Sequence, residues 1–223
     1  MDLAHQKRMD KVYRQMKYIY DFTRPFFLAG RKRLRRAVRP MPGQRVLEVG
    51  CGTARNLVVL AQEWPDSTFV GVDISSEMTA YARSQIERRR LGKSVRIFEG
   101  ELRDFQSSEL CDGDYDYIMF SYSLSMIENW QDVLREASTL LKPDTGKLLI
   151  ADFGACEVWP GLIARRLYKN LSYFHVTPRP ELFTFLSRGL GSGETRIKRQ
   201  RLLGGYAQVL ELTKPSPRQP HPA

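Results

Sequence analysis

The sequence predicts an α/β fold in which a mostly parallel sheet is covered by helices, and three observations predict it. From Arg45 onward, short apolar segments alternate with longer stretches of helical periodicity. The first apolar segment, Val46-Leu-Glu-Val49, runs into the glycine turn Gly50-Cys-Gly52 just before a helical pattern begins. The second ends in Gly71-Val-Asp73, which sets a carboxylate at a strand end about twenty residues beyond the glycine turn. The chain has 223 residues, 42% hydrophobic and 27% charged. That composition excludes a disordered, collagen-like or coiled-coil chain, and the length suits one globular domain with extensions better than two domains.

Residues 5–20 carry Met9, Val12, Met16 and Ile19 at helical spacing, with Lys7, Arg8, Lys11, Arg14 and Lys17 on other faces, which predicts an amphipathic helix. Asp21-Phe-Thr-Arg-Pro25 interrupts it, and Phe26-Phe-Leu28 forms an apolar patch. A basic run, Arg31-Lys-Arg33 with Arg35-Arg36, then leads to the turn Pro40-Met-Pro-Gly43. Strands are expected near 45–49, 68–72, 95–98, 115–120 and 146–152, with helices near 53–64, 76–91 and 130–141. A further helix is expected over 159–174, and strands near 194–202 and 205–213 form a hairpin through Gly204-Gly205. The expected organisation is a basic helical extension over 1–44, a core over 45–213 and a disordered tail over 214–223, where four of ten residues are proline.

The net charge of +10 is unevenly placed: residues 1–45 carry +10, residues 46–150 carry −6 and residues 151–223 carry +6. A basic head and tail around an acidic middle imply an anionic partner, either a lipid surface or nucleic acid. Cys51, Cys111 and Cys156 form no CxxC pair or regular framework, so free thiols in a reducing cytosol are expected and no structural metal. The N-terminus has no apolar signal core, and no run approaches about 18 apolar residues, so any membrane contact is expected to be peripheral.

At the glycine turn, Gly50 and Gly52 let the backbone approach a ligand, while the following helix start offers N–H groups to a negative group. Asp73 sits where doubly wound folds hold a ribose by its hydroxyls. A purely structural strand-to-helix turn is the plainer alternative for the glycines alone. The two features together favour a nucleoside cofactor.

The run Glu48-x-Gly50-x-Gly52, together with Asp73, Phe98-Glu-Gly-Glu-Leu102 and Asp116-Tyr-Ile-Met-Phe-Ser121, resembles the class I S-adenosylmethionine-dependent methyltransferases. The resemblance implies a Rossmann-like, seven-stranded, mostly parallel sheet of order 3-2-1-4-5-7-6. It implies that S-adenosyl-L-methionine binds across the carboxyl ends of the first strands, with S-adenosyl-L-homocysteine as by-product and no metal. Glu48, Gly50, Cys51, Gly52 and Thr53 would cradle the methionine moiety, Asp73 would take the ribose hydroxyls, and Ile74 would flank the adenine. Glu101 and Leu102 would meet the adenine edge, and Ser121 and Tyr20 would also border the cofactor. Two positions depart from the pattern: Ala54 replaces a third glycine, and Glu101 replaces the usual adenine-side aspartate. NAD binding is the demoted alternative.

Tyr13-Arg-Gln-Met-Lys-Tyr-Ile-Tyr-Asp-Phe-Thr-Arg24, Phe120-Ser-Tyr-Ser-Leu-Ser-Met-Ile127, Ala151-Asp-Phe-Gly154 and Phe174-His-Val-Thr-Pro-Arg179 resemble a narrower group, the bacterial betaine-lipid N-methyltransferases. That resemblance implies successive methylation of the amine of diacylglyceryl-homoserine to the trimethylated lipid. Phospholipid N-methyltransferases acting on phosphatidylethanolamine, and small-molecule amine methyltransferases, are the nearest alternatives. A non-catalytic nucleoside-binding protein that contacts membrane or RNA is the alternative from another class.

Tyr13, Lys17 and Tyr20 share one helical face with Tyr18 beside them, and aromatic faces attract a sulfonium or methylated ammonium by about 0.5–2 kcal/mol. Tyr20 is the expected lid residue. Ser121, Tyr122 and Ser123 follow the fourth strand, where acceptor and methyl group would meet; capping or turn roles are the plainer reading. His175 is a candidate to take the ammonium proton, with Tyr20 and Tyr122 as further catalytic candidates. Arg179 and Arg196 are candidates to pair with an acceptor carboxylate or phosphate. Residues 159–174 present Trp159, Leu162, Ile163, Leu167, Leu171 and Phe174 on one broad face edged by Arg165, Arg166 and Lys169, a stripe that suits either the core or an anionic bilayer. The expected location is cytoplasmic, on the inner face of the cytoplasmic membrane. Nucleic acid is disfavoured because no recognisable module for it accompanies the basic arms.

Overall fold

A computed structural model describes residues 29–111, 113–172, 176–190 and 196–213. The amphipathic head helix and the proline-rich tail, and with them Tyr13, Lys17, Tyr18, Tyr20 and His175, lie outside the described residues. The chain order is α1 (Arg31–Ala37), β1 (Arg45–Val49), α2 (Arg55–Glu63), β2 (Thr68–Asp73), α3 (Ser76–Arg88), β3 (Val95–Glu99), α4 (Leu102–Gln106) and β4 (Tyr117–Ser121). Then follow α5 (Trp130–Thr139), β5 (Lys147–Phe153), α6 (Gly161–Ser172), α7 (Leu182–Ser187), β6 (Arg196–Leu202), a 3-10 turn (Leu203–Gly205) and β7 (Ala207–Thr213).

The seven strands form one sheet of order β3-β2-β1-β4-β5-β7-β6, the order expected from the sequence. β1 to β5 are parallel, while β7 runs antiparallel to both β5 and β6. The buried runs of β1 and β4 read apolar on both faces because helices cover both. On one face Val46, Tyr117, Met119, Leu149 and Ala151 pack against Leu34 of α1, Leu57 and Leu60 of α2, Ala82 and Ile86 of α3 and Leu171 of α6. On the other, Leu47, Ile118, Phe120, Leu148 and Ile150 meet Leu102 and Phe105 of α4, Leu134 and Ala137 of α5, and Leu182 and Leu186 of α7.

Three helices were not expected: α1, α4 and α7. The basic run at 31–36 folds as α1 because Leu34 and Val38, four residues apart, are buried beneath it. Two tyrosines of the β4 segment bracket this helix: Tyr122 donates its hydroxyl to the Ala29 carbonyl and Tyr117 donates to the Arg39 carbonyl at 3.1 Å. β6 is the edge strand, and its exposed Arg196, Lys198 and Arg201 protect an open edge from pairing with another chain.

At the amino edge of the sheet, buried Asp116 accepts from Gln44 Nε2 at 3.2 Å, the Arg45 amide at 2.9 Å and Lys142 Nζ at 3.0 Å. It ties the start of β4 to β1 and to the approach to β5. We expect Asp116→Ala to lower unfolding free energy by about 2 kcal/mol, because it strands three donors of which Lys142 is half exposed and recovers water. Urea denaturation checks this.

Candidate functional site

The order reversal between β1 and β4 opens a crevice at their carboxyl ends, where the connections from the two strands leave toward opposite faces. The backbone around it is held in the left-handed region at Gly50 (φ 72), Gly52 (φ 53), Ala54 (φ 54) and Tyr122 (φ 60). Such conformations concentrate where the chain must turn sharply at a site.

Gly50 has no space for a side chain, since a Cβ there would overlap Ser123 Cβ. Its amide donates to the Val72 carbonyl at 2.8 Å, and the Cys51 amide donates to the same oxygen at 3.1 Å. The Gly52 amide donates to Asp73 Oδ2 at 2.7 Å, and the Ser75 amide donates to Asp73 Oδ1 at 3.0 Å. Asp73 therefore braces the glycine loop, and a carboxylate with about four acceptor positions keeps capacity for further donors such as ribose hydroxyls. Cys51 is buried, and burial pushes its thiol well above the ordinary range, with Asp73 and Glu48 adding to the effect. Its side chain is thus a neutral packing group, and only its backbone is available to a ligand. Thr53 and Ile74 are partly exposed.

Glu48, 1% exposed, accepts from Asn56 Nδ2 at 2.6 Å. Asn56 lies in the first turn of α2 and is itself buried. Glu101 is exposed just before α4, whereas the Leu102 side chain is buried in the core, so only the Leu102 backbone can meet an adenine edge. Ser121 ends β4 at 6% exposure, and its Oγ has no hydrogen-bond partner among the described residues. A buried hydroxyl left open at the carboxyl edge is a donor and acceptor waiting for a ligand atom.

The other predicted side chains are placed differently. Tyr122 is buried, its ring edge-on to Phe153 at 4.8 Å and its hydroxyl engaged by Ala29. Burial, then Asp152, raises this phenol so far that it stays protonated. It anchors the chain entering α1. Ser123 Oγ donates to the Val49 carbonyl at 2.8 Å, which fixes the end of β1 to the β4 loop. Arg179 donates from Nη2 to the Ile127 carbonyl at 2.8 Å and from Nε to the Leu124 carbonyl at 3.4 Å, so its fork holds the same loop. Arg196 must be corrected outright: it begins β6 opposite Thr213, which pairs with Lys147 at the start of β5. That puts it at the amino edge of the sheet, roughly 20 Å of strand away from the crevice.

Asp152, a strand-end carboxylate in the sequence that suits either the acceptor or local backbone donors, takes the second role. It is 1% exposed and accepts from the Ser125 amide at 3.1 Å and the Phe153 amide at 2.8 Å. Burial raises its carboxyl to about 6, opposed by those amide donors. Asp152, Ser123 and Arg179 thus converge on the 123–127 loop and make it a rigid floor beside the crevice. Asn56 was missed; its position eight residues after Glu48 in the helix start was the available signal.

The broad apolar stripe of α6 divides. Ala164, Tyr168 and Leu171 pack inward, while Leu162 is 81% and Ile163 51% exposed. Val158 at 76% and Leu203 at 60% extend this outer patch, and the Val158 amide donates to the Gly204 carbonyl at 3.2 Å, joining the two segments. The patch follows the carboxyl end of β5, on the edge that carries the crevice, and Arg165, Arg166 and Lys169 are exposed further along α6. Among the described residues no cluster of His, Cys, Asp or Glu has the makings of a metal site, and no helix is long and apolar enough to cross a membrane.

Comparison with known proteins agrees with this geometry. A family profile described as "Methyltransferase domain" matches residues 46–144. An arsenite methyltransferase of Aquipseudomonas alcaligenes is 34% identical over 116 residues, 50% of this chain and 33% of that protein. A demethylmenaquinone methyltransferase of Listeria monocytogenes is 26% identical over 158 residues, 68% of this chain and 65% of that protein. The chain thus spans less than two thirds of the length of these relatives. Among solved structures, a putative methyltransferase in complex with the Haloferax volcanii Trm112 activator superposes with TM-score 0.70 at 12% identity, over 95% of this chain and all of that one. An S-adenosylmethionine-dependent methyltransferase of Aquifex aeolicus superposes with TM-score 0.65 at 20% identity, over 90% and 97%. The chain has the Rossmann-like class I methyltransferase fold, and that fold implies a site for S-adenosylmethionine. The glycine cradle, braced Asp73 and open Ser121 hydroxyl fit such a group.

Two outcomes follow. Gly50→Ala should cost about 2–4 kcal/mol from its left-handed φ and the overlap with Ser123, and Ser123→Gly added to it should recover the overlap part; thermal melts of both variants check this. Asp152 binds protons more tightly folded than unfolded, so the folded state gains on protonation. Its ionisation should reduce stability by on the order of 2–3 kcal/mol as pH rises from about 4 to about 6, a slope absent in Asp152→Asn when denaturation is compared across that range.

Proposed function

We propose that this chain, carrying the class I methyltransferase fold, is an S-adenosylmethionine-dependent N-methyltransferase that successively methylates the amine of diacylglyceryl-homoserine. The transfer activity is supported by the crevice: a glycine turn without room for a Cβ, a carboxylate bracing it, and an unpartnered hydroxyl at its edge. The observation that carries a lipid acceptor is the outward patch of Val158, Leu162, Ile163 and Leu203, set on the crevice edge and followed by Arg165, Arg166 and Lys169. An apolar tip with basic residues about 5–10 Å further along a helix suits insertion below the headgroups with the cations at phosphate depth. A peripheral position on an anionic membrane follows from the same reading.

When bound, S-adenosylmethionine supplies an activated methyl group on sulfur. The chain's own part is placement. Asp73 holds the loop and offers acceptors to ribose, Glu48 and the turn residues Gly50, Gly52 and Thr53 receive the amino-acid end, and Ser121 meets the ligand at the β4 edge. Glu101 and the Leu102 backbone border the base. The acceptor is then presented in line by surfaces outside the nucleotide crevice, because an uncharged amine aligned behind the methyl needs orientation more than covalent help. Within this proposal Tyr20 is the lid residue, Tyr13, Lys17 and Tyr18 bind the acceptor, and His175 takes the ammonium proton before attack. Ser123, Tyr122 and Arg179 serve by fixing the loop and the entry to α1.

The test is an assay with isotopically labelled S-adenosylmethionine and a panel of homoserine lipid, phosphatidylethanolamine, soluble amines and RNA, with mass analysis of the product. The expected result is label in the homoserine lipid, in mono-, di- and trimethylated forms, with Asp73→Ala binding cofactor at least about ten-fold more weakly. Label in phosphatidylethanolamine or a soluble amine would move the acceptor. Cofactor binding with transfer to none of them would replace the enzyme reading by a nucleoside-binding interaction protein.

A further inference from the structure

The basic run at 31–36 contains two members, Arg31 and Arg35, that are partly withdrawn from solvent, and Arg35 lies toward the glycine-turn strand. Leu34 and Val38 bury one side of α1, and Arg35 is partly buried, while Lys32, Arg33 and Arg36 are exposed. The Arg35 guanidinium donates from Nη1 to Asn56 Oδ1 at 3.1 Å, and Asn56 Nδ2 donates to Glu48 Oε1 at 2.6 Å. A continuous line of hydrogen bonds thus runs from the helix that precedes the domain core to the acidic residue of the glycine-turn strand. The helix is not free to drift, since Tyr122 and Tyr117 hold the backbone on either side of it.

The sense of this line follows from donor chemistry. Arginine donates only, whereas an asparagine amide has an accepting and a donating end and works in either orientation. With a guanidinium on one side, the asparagine oxygen must face Arg35 and its NH2 must face Glu48. Glu48 is then met by a donor and accepts at Oε1. Burial and the neighbouring Arg55 lower the Arg35 pKa while Glu63 and Glu48 oppose them, and an arginine remains a cation throughout.

We propose that Arg35 is a positioning residue for the amino-acid end of the cofactor: acting through Asn56, it fixes Glu48 as the hydrogen-bond acceptor for an ammonium group. This rests on the reading that Glu48 receives that end of S-adenosylmethionine. It gives part of the basic run a role inside the site, in place of membrane attraction.

Calorimetric titration of the full chain with two ligands tests it: S-adenosylhomocysteine, which carries the amino-acid end, and 5′-methylthioadenosine, which lacks it. Arg35→Met should weaken S-adenosylhomocysteine by about ten-fold, the size of one hydrogen bond to a charged group, and 5′-methylthioadenosine by less than about two-fold. Arg35→Lys, still donor-only, should restore most of the affinity. Arg35→Gln, which presents either an oxygen or a nitrogen to Asn56, should repeat the selective loss and serves if the Met variant does not fold. Arg33→Met, the same charge change on the exposed side, should bind both ligands as the wild type does. Equal loss for both ligands in the Arg35 variants, or no loss for S-adenosylhomocysteine, overturns the proposal. A wild-type chain that binds neither ligand overturns the cofactor reading itself and the proposal with it.

Discussion

Everything around the crevice depends on how closely β1 and the β4 loop approach as the chain leaves β1. Gly50 turns at φ 72 directly against Ser123, and the Ser123 hydroxyl returns a hydrogen bond to the Val49 carbonyl one residue earlier. This contact has two consequences. It sends residues 50–53 across the end of β2, where the Val72 carbonyl and the Asp73 carboxylate collect the amides of Gly50, Cys51 and Gly52. It also delivers the chain into α2 with Asn56 over Glu48. A side chain at position 50 would separate β1 from the β4 loop and disturb both arrangements together.

The loop that Gly50 leans on is itself restrained from several directions. Asp152 at the end of β5 accepts from the Ser125 amide, Arg179 caps the Leu124 and Ile127 carbonyls, and the Thr177 amide donates to the Ser125 carbonyl at 2.8 Å. Arg179, like Ser123 of the loop itself, reads as a binding residue in the sequence because its polar group suits an acceptor. Their hydrogen bonds are spent on backbone, and what they supply is rigidity. A site that aligns two reactants in line depends on such fixed surroundings, because small displacements are costly to rate.

Local patterns carried the legible part of the fold. The glycine turn and Asp73 are recognisable because backbone freedom and strand-end placement are properties of a few adjacent residues, and the alternation of apolar segments gave five parallel strands and a hairpin. α1 was hidden because seven residues rich in arginine read as a solvated run, and only Leu34 and Val38 betray a buried side. Ala54, which stands where the loop pattern has a third glycine, carries a backbone cost that the sequence does not display, since it occupies φ 54 where glycine is freer. Arg196 failed for a topological reason. Because β6 is antiparallel to β7, and β7 to β5, β6 runs parallel to β5 and its first residue falls at the amino edge. That step was available from the strand order, whereas the partners of Tyr122 and Arg179, many residues distant, were not.

The uneven charge also resolves into separate physical tasks. Part of the tail's excess lies on the edge strand: Arg196, Lys198 and Arg201 keep that edge from pairing, and Arg199 is bound to Glu157 at 2.8 Å and to Gln208. Arg35 is turned inward toward Asn56. Among the described residues, Lys32, Arg33 and Arg36 of α1 and Arg165 and Arg166 of α6 are exposed on two helices that cover the same face of the sheet. Against this the acidic middle of the chain places Glu48 and Asp73 in the crevice. Carboxylates at the crevice attract a cationic ligand group and basic residues on the flank attract an anionic surface, so opposite charges are drawn to different places. The separation suits the proposed reaction, in which the cofactor is positive at sulfur and the acceptor is a lipid among negative headgroups. It makes the location of the positive charge, more than its total, the property that bears on the acceptor.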